Sequence, residues 1–346
     1  MVASVAPMPR RSPVPPRRRR VPVLTLLMVT GVLVLELGFI ASYVGALHAP
    51  TPSGVPVALV GPSAARSAVA RGLELAGESA AVRVVPEPDV VAARAAVGSG
   101  AAYAVFVPGT ARDTLLVADA ASPFVASALT SIFRGLATAS GARLDVVDMA
   151  PLPAGDPVGL SAFYLSVGWV VGGYLVAAVL GVGAGMSAES RRAAASRVSA
   201  IVAFSIASGL IGALIVDQWL GALRHHTLEL AGVGALVVLA TALSTAALET
   251  VLGLAGTALA IAAFVVVGNP SSGGPFAAPL LPRFFGAVGG YLPPGAATRL
   301  VRSVTYFSGA GTTHAYAVLG SYAVLGALVT VALAGQRRPY VRLLPE

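Results

Sequence analysis

Charged side chains are rare in this chain, and those set inside apolar sequence carry whatever chemistry it has. Glu36 stands between Leu35 and Leu37 within the apolar run 23–47. A carboxylate held in hydrocarbon without a partner is costly, so Glu36 is expected to face a protein or water-lined interior. There it can couple to protons or substrate, pack in its neutral form, or pair with a polar group of another span. A second group, Asp217, Arg224, His225, His226 and Glu229, falls in one short stretch. Adjacent histidines do not share a helix face and neither has a histidine at i, i+4, so the stretch reads as a solvated loop and no metal site is expected. Ser63, Ser127, Asp113 and Asp119 lie in no G-x-S-x-G context, and no histidine occurs between residues 49 and 157. No hydrolase or other enzyme is therefore expected. Cysteine is absent, which excludes disulfides, thiolate metal sites and cysteine nucleophiles. No G-x-x-x-x-G-K-[ST] occurs, and Gly61-Pro62-Ser63 lacks the phosphate-binding lysine, so neither a nucleotide nor any other cofactor is expected.

The second set of candidates lies in residues 268–313, a stretch too rich in Pro and Gly for one helix and too apolar for an ordinary loop. Pro293 and Pro294 fix φ and remove two backbone donors, which predicts a break before Ala296, and Gly295 is expected to permit a chain reversal. Arg299 and Arg302, three residues apart on the following turn, suit lipid phosphates or an anionic substrate. With Asn269 these are the candidate transport or gating residues. Arg191, Arg192 and Arg197 are candidates for docking a cytoplasmic partner, although a topology signal explains them equally well.

The elements that must position these residues are mostly membrane spans. Hydrophobic residues make up 56% of the 346, only 11% are charged, and mean hydropathy is +0.82, outside the balance of a soluble domain. Six spans are predicted, at 23–47, 160–185, 198–216, 230–248, 251–268 and 315–334, so the lipid bilayer is the first partner. Two GxxxG pairs in the second span, Gly168 with Gly172 and Gly181 with Gly185, predict close helix packing, a homodimer being one version of it. All 23 basic residues are arginine, as in a GC-rich bacterial genome, and 12 of them lie in three stretches, before residue 21, between 187 and 197, and after 335. These read as topology signals that hold both termini and the loop after span two in the cytoplasm, so the net charge of +8 does not imply nucleic acid. The first apolar run exceeds the roughly 7–15 residues of a signal-peptide core and no A-x-A site precedes Pro50, so the span is expected to remain uncleaved.

Between the first two spans, short β-rich runs alternate with Ala/Arg helical patterns in the order βαβαββαβ. The expected fold is an α-helical integral membrane protein of six transmembrane helices with an extracytoplasmic α/β domain inserted between helices 1 and 2. Its parts are a disordered Arg/Pro-rich tail (1–20), the first helix (21–48), the α/β domain (49–158), a five-helix membrane domain (159–334) with the external re-entrant segment 268–313, and a cytoplasmic tail (335–346).

This arrangement resembles the membrane half of type-2 ABC exporters, and more narrowly the YhgE/Pip (phage infection protein) group with its nitrosoguanidine-resistance relatives. The narrower resemblance rests on Gly268-Asn269-Pro270-Ser271-Ser272-Gly273-Gly274, Leu281-Pro282-Arg283-Phe284-Phe285, Leu292-Pro293-Pro294-Gly295-Ala296 and Arg302-Ser303-Val304-Thr305-Tyr306-Phe307. It implies a permease-like subunit in a bacterial cytoplasmic membrane that exports an amphipathic or cell-envelope substrate, with any ATP hydrolysis supplied by a separate subunit. One departure is that such permeases usually open with an amphipathic surface helix, where this chain has Pro13, Pro15 and Pro16. The alternative is a non-transporting envelope protein that docks secretion machinery.

Overall fold

The computed structural model describes residues 23–336, so the arginine run at 17–20 and the tail arginines Arg337, Arg338 and Arg342 lie outside the described residues. Six helices are long and apolar enough to cross a membrane: Thr25–Leu47, Ser161–Ala184, Arg191–Trp219, Thr227–Leu252, Leu254–Ser271 and Thr313–Ala332. The protein is mostly helical, with one small α/β sheet between the first two of these helices.

Helix α1 (Val23–Leu47) leads into β1 (Val55–Val60), α2 (Ser63–Leu75), β2 (Val82–Glu87), α3 (Val90–Gly98), β3 (Ala104–Val107), β4 (Arg112–Val117), α4 (Pro123–Ser140) and β5 (Arg143–Asp148), the order expected from the sequence. The sheet runs β2-β1-β3-β4-β5, parallel except where β3 meets β4. Strand alternation divides its two faces: Val55, Val57 and Leu59 join the core beneath α2 and α4, and Ala58 joins the smaller core beneath α3. The helices start where side chains accept otherwise orphaned amides, Asp89 from Ala92 and Ser122 from Val125, and α4 ends at Gly141 with φ of 73°. The core of this domain is not confined to residues 49–158. Ala277 and Leu280, far along the chain, are buried in it, and the carbonyls of Pro279 and Leu280 accept from Ser53 and Thr51.

The helical bundle comprises α5 (Ser161–Ala184), α6 (Arg191–Leu214), α7 (Thr227–Leu252), α8 (Leu254–Ile261), α9 (Asn269–Ser271), α10 (Arg283–Val288), α11 (Pro293–Tyr306) and α12 (Thr313–Ala332). Helix α7 is its hub: 67% of its apolar window is buried, against none of the window in α1. Two π-helical turns modify the spans. Ile215–Trp219 prolongs α6 beyond the predicted end at 216, and Ala262–Gly268 joins α8 to α9. The fifth span therefore runs through Pro270, past the end at 268 that the sequence suggested. Pro270 has no N–H to return to the preceding turn, and the hydroxyl of Ser42 on α1 donates to the carbonyl of Val266, four residues before it. That bond, with Gly38 packed beside Val266, is how α1 is held to the bundle.

Candidate functional site at the seam of domain and bundle

The Pro/Gly segment lies between the α/β domain and the helices, and α11 is its rigid part. Leu292 is extended (φ −102°, ψ 146°), and Pro293 and Pro294 then occupy the first turn of α11, where the missing amides lose nothing. The break expected between Leu292 and Ala296 is thus present, at Leu292, and for a different reason: the prolines open a helix instead of interrupting one. Gly295 makes no reversal. It is helical, and a Cβ placed on it would stand 2.0 Å from the carbonyl oxygen of Gly289, so its role is close backbone approach. Ala296, Ala297, Leu300 and Val301 bury the inner face of α11 among α5, α7 and α12.

Arg299 and Arg302 leave α11 toward the domain. The Arg302 guanidinium donates to the carbonyls of Gly273 (2.6 Å) and Gly274 (2.7 Å), while its Nε is buried without a partner. Arg299 donates to Gly311 (3.2 Å) and to the carbonyl of Ser99 in the turn after α3. Arg299 thus ties α11 to the α/β domain and Arg302 ties α11 to the start of the Pro/Gly segment, so the guanidinium donors expected to hold an anion are engaged by backbone carbonyls. Burial works against the charge of Arg302, which Tyr103, Tyr306 and Asp156 partly offset. A cavity of about 170 Å³ lies between the partners, lined by Tyr103, Ser272, Gly273, Thr298, Arg299 and Arg302 among others. Buried Asn269 lies within hydrogen-bonding reach of Tyr43 on α1, and its Oδ1 has no partner among the described residues.

A second polar tie lies at the far end of α11. Buried Asp156 accepts from the amides of Leu160 and Ser161, which open α5, and from the Tyr306 hydroxyl at 2.8 Å. Burial first, then this bond, raises the Tyr306 phenol well above its ordinary range and makes it a fixed donor.

Glu36 does not enter this site. It is exposed on the outer surface of α1, facing neither a protein interior nor a cavity of this chain, because α1 touches the bundle only through its C-terminal half. The close packing expected of the GxxxG pairs holds for one member and not another: Gly181 packs against Glu249, Gly168 faces open space, and Gly173, outside both pairs, packs against Thr241.

Of the three arginines offered for docking, Arg191 and Arg192 are exposed and Arg197 is not. Arg197, 5% exposed, pairs with Glu249, 0% exposed, at 2.5 Å. Arg197 also donates to the carbonyls of Ala177 and Met186, and Glu249 accepts from Thr257 at 2.8 Å. One ion pair therefore joins the ends of α5, α6, α7 and α8, about 30 Å along α6 from Trp219 and the seam. Sequence reasoning missed it by assigning Glu249 to the turn between spans four and five. The turn falls instead at Gly253, whose φ is 63°, leaving Glu249 inside α7. The available signal was one buried-length helix end carrying an acid opposite another carrying a base.

Comparison with protein families, with curated proteins and with solved structures finds no match to this chain.

Proposed function

We propose that this protein is a permease-like subunit of an export system for an amphipathic or cell-envelope substrate in a bacterial cytoplasmic membrane. In this reading the six apolar helices span the bilayer, both termini are cytoplasmic, the α/β domain is external, and any ATP hydrolysis occurs on a separate subunit. The resemblance to type-2 exporter permeases motivates it. The observation that carries it is the seam: the external domain is joined to the bundle by a cavity-containing junction of α11, tied to the domain through Arg299, while a buried ion pair closes the same bundle at its other end. Such a molecule has two separate closures about one membrane thickness apart, which alternating access requires.

A crosslink tests whether the seam moves. A Cβ on Gly98 would lie 3.8 Å from that of Ala310, within disulfide range, and the native chain has no cysteine to interfere. Gly98→Cys with Ala310→Cys should form a disulfide on oxidation, stop efflux of fluorescent amphiphiles from expressing cells, and release it on reduction. Full efflux with the disulfide formed would eliminate gating at this seam.

A further inference from the structure

A larger cavity, of about 830 Å³, opens beside the Asp156–Tyr306 tie, between the chain leaving β5 and the loop before α7. That volume is within the range of small-molecule sites. Its walls are mixed in a particular way. Met149, Pro151 and Pro153 contribute apolar surface, and Arg224, His225 and His226 bring basic and imidazole groups from the opposite side.

Nearby acids do not neutralise those groups by direct contact with the arginine. Asp217 is buried and consumed by the amides of His225 (3.0 Å) and His226 (3.2 Å) and the hydroxyl of Thr227. Asp156 is consumed by α5 and Tyr306. The Arg224 guanidinium lies over Gly221, where φ of 65° lets the loop fold beneath it, and it makes no ion pair or hydrogen bond among the described residues. Thr305, which also lines the cavity, has a buried hydroxyl oxygen with no partner. Just outside, Trp219 ends the third span 80% exposed, the position of a side chain that marks the headgroup level of a bilayer.

We propose that this cavity binds a phosphate-bearing amphiphile, its phosphate held by Arg224 with the imidazoles, and its apolar part against the Met149–Pro153 wall. A bare phosphate satisfies the first set of groups and leaves the second unused; a zwitterionic headgroup brings a cation to a site that already has one. The assignment rests on the permease reading only in placing this end of the bundle at a membrane surface, and it names the chemical class such a permease would handle.

The test uses the full chain in a neutral detergent and measures retention of dihexanoyl phosphatidylglycerol, dihexanoyl phosphatidylcholine and inorganic phosphate by native mass spectrometry and calorimetry. Phosphatidylglycerol should bind at least about tenfold more tightly than either of the others. Arg224→Gln, at an exposed position, should reduce that preference about tenfold, and Ala154→Trp, on the wall of the cavity, should obstruct it and weaken binding; both should melt as the native protein does. Equal retention of the two lipids, unchanged binding in both variants, or phosphate binding as tightly as phosphatidylglycerol would each overturn the proposal. Efflux by the crosslinkable variant is read separately, so loss of this site and loss of the permease reading are distinguishable.

Discussion

Replacing Arg197 by methionine isolates the ion pair that closes the bundle opposite the α/β domain. The side chain gives up three acceptors at once: the Glu249 carboxylate and the carbonyls of Ala177 and Met186, each at 3.1 Å. Glu249, with no exposed surface, is left with Thr257 as its one donor. Removing one partner of a fully buried pair costs about 3–5 kcal/mol, because the remaining charge has neither water nor counter-ion. Against a net stability of about 5–15 kcal/mol this is about a fifth or more of the total. Purified Arg197→Met should therefore melt about 10 °C lower than the native chain in the same detergent. Glu249→Met should do the same, and the double variant should recover most of the loss, since an apolar pair of similar size needs no compensation. The stabilities of the four proteins form a cycle whose coupling term reports the pair itself. Single variants within about 2 °C of native, or a double variant as unstable as the sum of the singles, would refute the view that these two side chains close the bundle together.

Topology can be read with an impermeant thiol reagent on intact cells: Leu75→Cys, on an α2 side chain 89% exposed, should be labelled, and Glu189→Cys, exposed in the loop before α6, should be protected until the membrane is opened. The reverse pattern would invert the proposed orientation. Gly295→Ala forces a methyl onto the Gly289 carbonyl and should cost about 1–3 kcal/mol in thermal melts, while Gly290→Ala, whose Cβ has open space to 3.9 Å, should be far milder. Asp119, its carboxyl pushed up by burial and then by nearby Asp148, binds its proton more tightly folded than unfolded. Its contribution is thus most favourable below the ordinary unfolded value, where both states are protonated, and is lost as pH rises through the raised folded one, so Asp119→Asn should stabilise the protein at neutral pH and flatten this part of the pH–melting profile.

Much of the fold is legible because its signals are local. Twenty or so consecutive apolar residues cannot be left in water, so the centres of all six spans follow from composition alone. The short apolar run VPVALV (55–60), bounded by turn residues, likewise identifies a buried strand without tertiary information. Pro293 and Pro294 announce a discontinuity by covalent geometry.

The partnerships of side chains are another matter. Glu249 and Arg197 are 52 residues apart, and each alone looks like an ordinary polar end of a span; only helix packing removes both from solvent and makes them one group. Arg299 and Arg302 have the spacing of an anion site, yet the fold of the domain around Ser99 and of the Pro/Gly segment around Gly273 gives them carbonyls as partners. Ala277 and Leu280 complete a core begun more than two hundred residues earlier. By itself the sequence determined which segments avoid water, where helices begin and break, and that no thiol or Walker-type nucleotide site exists, since each depends on residue type or near neighbours. Tertiary structure alone decided which charges are buried, which are stapled and which, like Arg224, remain free, because the energy of a charge is set by whatever distant chain is folded against it.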